Sequence, residues 1–493
     1  MEVFTYSDET NSFDLGNENK LSFKQYLKNY ISLYVSSIII TLLSFIFIVF
    51  TINNSCIIKN GTVQIYENET GANEESFNLL VKNLYPEETK INHALPYSVA
   101  HPDLDISAES AVLVDYTTGN ILYEKNSETK IPPASMTKLV EMYVVLDEVE
   151  KGKFTLDDIV PLPKESWAQN LPKDASIMFL NQGQKVTLRE LLLGLSIASG
   201  NDASIAVAKY IAGNMEAFVE KMNAVCKALG LENTHFVESS GYSEENITTA
   251  KEFAQFCTEY IRRFPFVLND FHSQKILEYP KKENLADWHK TSETEHPILQ
   301  YNTNKLLGVL EGCDGLKTGF IYESGYNISL TAKRDERRFI SVTMRGPGNN
   351  SKEGNYYRIK DGTNLMEYAF SNFVDYKKNS FTRLKLPVLA SSNKNITIRA
   401  AYDESFSVPK IILNEKKNLS EMVEVKIVAP KFIFGKINEG EKVGNVLYIV
   451  NGKVLNTVPL LSQNDCASAS RIIQKLYRLS LWCLGLKPDA MRL

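Results

Sequence analysis

Metal-ligand spacing is missing from this chain of 493 residues. Its six cysteines (Cys56, Cys226, Cys257, Cys313, Cys466 and Cys483) include no CxxC pair, which argues against both a disulfide framework and a zinc ribbon. Its six histidines (His93, His101, His235, His272, His289 and His296) form no HExxH or HxH, so the chemistry is expected to run without metal or cofactor. A basic surplus is missing too. With 54 Lys and Arg against 59 Asp and Glu, the net charge of −5 gives no reason to expect a nucleic-acid partner. No internal repeat is visible. What remains is an ordinary globular composition, 44 % apolar and 23 % charged, on a chain long enough for two domains and accessory segments.

The most informative local absence is charge between Asn29 and Ile58. The core of that stretch, Ile31 to Ile52, is long enough at about 1.5 Å per residue to cross a hydrocarbon layer of ~30 Å. Lys20, Lys24 and Lys28 precede it, which keeps residues 1–28 cytoplasmic and sends the remainder outward. Residues 29–52 are therefore expected to be an uncleaved membrane anchor. A cleaved signal peptide is the competing reading, but the leader is long and no A-x-A-like site follows. Residues 53–104 are polar and read as a linker.

From there the pattern is α+β. Ala111–Tyr116 and Ile121–Tyr123 flank the turn Thr117-Thr118-Gly119-Asn120 as a hairpin. Helical periodicity runs from Met136 to about Arg263, with a capping box at Thr187-Leu188-Arg189-Glu190. Strands return at Tyr326–Thr331 and Arg338–Thr343. An antiparallel sheet with a helical cluster against it is expected over 105–376. Residues 381–464 read as a small all-β domain, with runs such as Val423–Val428 and Val446–Val450 separated by glycines. Residues 467–487 form a basic amphipathic helix, apolar at Ile472, Leu476, Leu479, Cys483 and Leu486, suited to a membrane surface or to packing on its own protein.

Three short motifs bear chemistry. The first, Ser135-Met136-Thr137-Lys138, follows two prolines and opens an apolar run from Leu139 to Leu146. S-x-x-K recurs at Ser127, Ser391 and Ser407, but only at Ser135 does a buried helix follow. There Lys138 shares a helix face with the Ser135 hydroxyl, and burial would lower its pKa and make it a base. The second, Ser199-Gly200-Asn201, sits at a break between two apolar helical segments and can present both side chains to a cleft. The third, Lys317-Thr318-Gly319, is the chain's only K-T-G and lies just ahead of the expected strands. Its cation and hydroxyl suit a carboxylate, and its glycine lets a substrate backbone approach.

Together these motifs form the trio of class A β-lactamases and penicillin-binding proteins, with Ser-Gly-Asn in the middle place. With Leu229–Phe236, Asn302–Leu307 and Gly325-Tyr326-Asn327, the chain from about Ile106 to Leu461 resembles the low-molecular-mass D-alanyl-D-alanine carboxypeptidases. The resemblance implies a β-lactamase/transpeptidase-like catalytic domain, a β-domain and a C-terminal membrane helix. It implies acylation of Ser135 by a peptidoglycan stem peptide or by a β-lactam, with Lys138 taking the serine proton. Ser199, helped by Lys317, would relay a proton to the departing D-alanine. Asn201 would hold the substrate amide, Thr318 and Arg358 the terminal carboxylate, and the N–H groups of Ser135 and Phe320 the oxyanion. The chain departs from the pattern at Phe320, where histidine is usual after Lys317-Thr318-Gly319, and at Ser324, where alanine is usual. It also lacks the common histidine ahead of Thr248-Thr249-Ala250. These departures bear on deacylation and substrate preference. The rivals are a β-lactamase-type hydrolase, for which no convincing E-x-x-L-N element lies between Ser199 and Lys317, and a non-catalytic wall-binding protein.

Overall fold

A computed structural model describes residues 23–60, 64–65, 74–85, 91–96, 98–99, 102–286, 297–377, 383–402, 405–410 and 422–486. Helix α1 (Phe23–Asn60) contains the charge-free stretch and is long and apolar enough to cross a membrane by length and composition. Its apolar side chains find almost no partner in the protein. The stretch expected to be a linker is more structured than its composition suggested. Strand β1 (Gln64–Ile65), helix α2 (Glu74–Leu84) and strand β2 (His93–Ala94) are each docked on a folded domain. Phe77, Leu80 and Val81 on α2 recur at helical spacing and pack with Ala401 and Leu461. One two-turn apolar stripe among Asn and Glu is too short a signal to separate from a polar tether.

The catalytic domain opens with the expected hairpin, β3 (Ser110–Asp115) and β4 (Asn120–Lys125). Helices α3 (Thr137–Glu150), α4 (Leu188–Leu193), α5 (Asn201–Ala212), α6 (Met215–Ala228) and α7 (Ala250–Arg263) follow. The capping box at Thr187 forms: its hydroxyl accepts from the Glu190 N–H, and the Glu190 carboxylate accepts from the Thr187 N–H. A short pair, β5 (Ile276–Tyr279) and β6 (Ile298–Tyr301), leads to the antiparallel run β7 (Cys313–Ile321), β8 (Gly325–Arg334) and β9 (Arg337–Gly346). Helix α8 (Ser351–Asn372) completes the domain.

The sheet order is β2-β4-β3-β9-β8-β7. Val112 and Val114 face the core under α3 to α7, whereas Ala111 and Leu113 face the core under α8. Burial on both faces explains why β3 reads as an unbroken apolar run. The layer under α8 was not foreseen, because its long polar stretches hide Leu365, Met366, Ala369 and Phe370. Lys317-Thr318-Gly319, expected ahead of the strands, lies inside β7 at the sheet edge.

The second domain comprises β10 (Phe373–Lys377), β11 (Arg383–Leu389), β12 (Asn395–Ala400), β13 (Ser405–Pro409), β14 (Val423–Val428), β15 (Ile433–Phe434), β16 (Lys442–Val450) and β17 (Lys453–Ser462). Its main sheet runs β1-β11-β12-β17-β16-β14, and β10 pairs with β13. Helix α9 (Arg471–Cys483) docks through Leu481, which packs with Leu389 and Phe432, while Ile472, Leu476 and Leu479 stay exposed.

The two domains are latched by the β3–β4 turn. Asn120 Oδ1 accepts from the Ser407 N–H at 2.7 Å, and its amide faces Ala94 O and His93 Nδ1 at 3.3 and 3.2 Å. Ser407 Oγ in turn donates to Asp115 Oδ2 at 2.9 Å. Replacing Asn120 with alanine strips a buried N–H of its acceptor, which costs about 1–3 kcal/mol. Denaturant unfolding of Asn120→Ala should show a lowered midpoint; an unchanged midpoint would mean the domains dock without this latch.

Candidate active site

The site is assembled where α3, the loop before α5 and edge strand β7 converge. Pro132 and Pro133 bring the chain in extended, and the Asn327 amide donates to Pro132 O at 2.9 Å. Ala134 then adopts a left-handed φ of +50°, and a single 3₁₀ turn, Ala134–Met136, carries Ser135 into the start of α3. That turn sets the serine hydroxyl at the cleft wall while the rest of α3 is buried. Two glycines allow it. A Cβ on Gly319 of β7 would overlap the Pro133 carbonyl and stand 3.2 Å from Met136 N. Gly241 has a φ of +80°, and a Cβ there would overlap the Ala134 carbonyl and stand 2.9 Å from Ser135 N.

Lys138 lies one turn along α3 and is fully enclosed. Its Nζ is 3.2 Å from Ser135 Oγ, 2.7 Å from Asn201 Oδ1 and 2.5 Å from Ser240 O. Burial pulls its pKa down to about 8, against the opposing pull of Glu141, Glu238 and Asp202. Ser199 terminates a five-residue π-type turn, Gly194–Ala198, with a left-handed φ of +59°. That conformation turns its hydroxyl toward β7, where it accepts from Lys317 Nζ at 3.0 Å. Lys317 also donates to Thr318 O at 3.0 Å, and burial holds its amine well below the usual lysine range, with Lys138 and Arg358 adding repulsion.

The remaining expected residues line the same cleft, a space of about 710 Å³. Thr318 Oγ1 donates to Thr303 Oγ1 at 2.7 Å. Phe320 is 39 % exposed at the mouth, stacked on Tyr326 with centroids 4.4 Å apart. Arg358, from α8, donates through Nε to Asn327 O at 3.0 Å and through Nη1 to Asn355 Oδ1 at 3.0 Å. Its Nη2 donates to Gly319 O, so the guanidinium braces the back of β7. The structure thus brings Ser135, Lys138, Ser199, Asn201, Lys317, Thr318, Gly319, Phe320 and Arg358 into one site. Among the described residues, no three His, Cys, Asp or Glu side chains gather as a metal site.

Sequence reasoning missed the turn Glu238–Gly241. Its Ser240 carbonyl fixes Lys138, and its Glu238 carboxylate accepts from the N–H groups of Ser240 and Gly241 at 2.6 and 2.7 Å. The available signal was Glu-Ser-Ser-Gly, a carboxylate followed by small residues able to close a tight turn on it. Asp202 was missed as well. Buried at the start of α5, it accepts from the N–H groups of Met178 and Leu180 at 2.9 and 3.0 Å and holds the cleft's rim to that helix.

Most of the chain matches known proteins. Residues 97–348 match the D-alanyl-D-alanine carboxypeptidase family of serine peptidases, and residues 370–468 match the C-terminal domain of penicillin-binding protein 5. D-alanyl-D-alanine carboxypeptidase DacF of Bacillus subtilis is 32 % identical over 75 % of this chain and 88 % of its own length. D-alanyl-D-alanine carboxypeptidase DacC of Escherichia coli is 30 % identical over 75 % of this chain and 86 % of its own. The crystal structure of penicillin-binding protein 5 from Haemophilus influenzae superposes with a TM-score of 0.61 at 29 % identity, covering 75 % of this chain and all of that one. The family, the catalytic fold and the trailing β-domain expected from the motifs agree with these matches.

Gly241→Ala should push the turn bearing Ser135 away from Lys138. A misplacement of ~1 Å can cost on the order of 100-fold, so acylation by a fluorescent penicillin should slow at least ~10-fold. Acylation at the wild-type rate would show that the close approach at Gly241 is not needed.

Proposed function

We propose, on the premise that the chain belongs to the serine-type D-alanyl-D-alanine carboxypeptidases, a division of labour among its residues for one acyl transfer. The enzyme is a D-Ala-D-Ala carboxypeptidase, and its geometry supports one route for that reaction above others. The observation that carries it is the fully buried Lys138 Nζ standing 3.2 Å from Ser135 Oγ on the cleft wall.

A neutral amine has two N–H bonds and one lone pair. The two shorter contacts of Lys138, to Asn201 Oδ1 and Ser240 O, take the N–H bonds and leave the lone pair for the Ser135 hydroxyl. Ser135 Oγ attacks the carbonyl of the terminal D-Ala-D-Ala bond in a peptidoglycan pentapeptide stem as its proton passes to Lys138. The N–H groups of Ser135 and Phe320 receive the oxyanion; donors placed this way are worth about 3–4 kcal/mol each at the transition state. Ser199 passes its proton to the departing D-alanine nitrogen as it takes one from Lys317 Nζ, which donates to its hydroxyl at 3.0 Å, and Lys138 keeps the Ser135 proton until the ester is cleaved. Thr318 Oγ1 meets the substrate's terminal carboxylate, with the two guanidinium hydrogens of Arg358 that its three protein contacts leave over. Water then cleaves the ester and frees Ser135. A β-lactam enters the same route as far as the acyl-enzyme, which accounts for covalent penicillin binding.

The two ends of the chain supply the setting. Helix α1 spans the cytoplasmic membrane as an uncleaved anchor, with Lys20, Lys24 and Lys28 on the cytoplasmic side and the catalytic domain outside, where peptidoglycan lies. The exposed apolar residues Ile472, Leu476, Leu479 and Trp482 of α9, with Arg471, Lys475 and Arg478 beside them, rest on the same membrane's surface.

Two measurements test this reading. D-alanine should be released from a pentapeptide stem ending in D-Ala-D-Ala, Ser135→Ala should release none, and Lys138→Ala should be slower by ~10²–10⁴-fold. Normal release by Lys138→Ala would remove the base from the scheme. Because Lys138 must be neutral to accept the proton, wild-type turnover should fall as pH drops through about 8. A rate independent of pH across that range would contradict the assignment.

A further inference from the structure

Glu141 lies one helical turn beyond Lys138 on α3, so the two side chains share a face of that helix. Both are sealed from solvent, at 0 % exposure. Lys138 has three oxygen partners, whereas neither carboxyl oxygen of Glu141 has a hydrogen-bond partner among the described residues. The Ser204 hydroxyl on α5 is the nearest polar group, close enough to favour the ionised carboxylate, and it is shared with Ser239 Oγ at 2.7 Å. A fully buried acid with so little hydrogen bonding is a costly feature, and its presence beneath a buried amine calls for a reason.

The other charged groups facing this pocket are already held. Asp202 on α5 accepts backbone N–H groups of Met178, Leu180 and Ala203. Glu238, on the turn ahead of α7, accepts from Ser240, Gly241 and Asn246. Lys317 on β7 is bound to Ser199 and Thr318 O. Glu141 differs in having its strongest electrostatic partner, Lys138, as the group its charge can serve.

We propose that Glu141 is a positioning residue for the acyl transfer, whose carboxylate one turn below Lys138 sets how tightly that amine holds a proton and balances the ammonium formed when Ser135 is deprotonated. This rests on the reading of Lys138 as the base. As the bond from Oγ to the carbonyl carbon forms, the Ser135 proton moves to Lys138 Nζ. The new ammonium then stands near a carboxylate in a site closed to water. With a neutral side chain at 141, the same transfer leaves an uncompensated cation there. Burial pushes the Glu141 carboxyl up and the Lys138 amine down, while each charge pulls the other back toward its ionised form, so the two groups titrate as a pair.

The test is the pH dependence of acylation by a fluorescent penicillin, measured on the full chain in detergent for wild type, Glu141→Gln and Glu141→Asp. Removing the carboxylate weakens the hold of Lys138 on its proton, so the acid limb of Glu141→Gln should move to lower pH by ~1 unit or more. Glu141→Asp keeps the charge and should keep the wild-type limb. A Glu141→Gln limb coincident with wild type, at full labelling stoichiometry, would overturn the proposal even if the variant melts lower. If Glu141→Gln does not fold, Glu141→Thr supplies a smaller neutral side chain with the same expected shift. Failure of wild type to be labelled at all would instead remove the acyl-transfer reading beneath it.

Discussion

Lys138 Nζ stands fully buried beside Ser135 Oγ at the cleft wall, and most of the surrounding architecture can be understood as what it takes to keep it there. A lysine in water is an ammonium and a poor base. Enclosing it between α3, α5 and the Glu238–Gly241 turn makes the neutral amine accessible. Enclosure alone would leave its donors unsatisfied, so Asn201 and the Ser240 carbonyl hold them. Ser135 must approach from the cleft side, which forces the turn at Ala134 against Gly241 and Gly319. The second lysine, Lys317, repeats the arrangement across the cleft with Ser199. Two buried amines, each aimed at a serine hydroxyl, are the pair on which the proposed proton transfers rest.

Much of this was legible in the sequence, for a physical reason. Ser135, Lys138, Ser199, Asn201 and Lys317 sit at element boundaries that leave marks: a proline pair before an apolar helix, a break between two helical stretches, a lone K-T-G near strands. The β-domain announced itself through short apolar runs with glycines between them. Illegible were the contributions made by backbone atoms or by single side chains without a pattern. Ser240 acts through its carbonyl, which any residue possesses. Glu141 is the one acid inside the run Leu139–Leu146, and helical spacing places it in a sealed pocket with Lys138 only once that run is known to be buried on all sides. The docking of α2 and β2 depended on distant partners, Ala401, Leu461 and β4, that no local window contains.

Helices α1 and α9 meet as well. Phe50 on α1 packs edge-on against Tyr477 on α9 with centroids 4.7 Å apart, and the Asn54 amide donates to Ser480 Oγ at 3.2 Å. Helix α9 therefore packs on its own protein, one of the two roles that its sequence left open. Leu481 and its neighbours fasten it to the β-domain, while Ile472, Leu476, Leu479 and Trp482 remain uncovered on the other side. Contact between α1 and α9 holds the β-domain close to the apolar N-terminal helix.

One serine among several S-x-x-K matches is assigned as the nucleophile because only it has a buried lysine beside it. Peptide mapping of the full chain after exposure to a penicillin tests that assignment without intermediaries. The adduct should lie on the peptide containing Ser135 and be absent from those containing Ser127, Ser391 and Ser407. An adduct on any of those three, with Ser135 unmodified, would contradict the assignment.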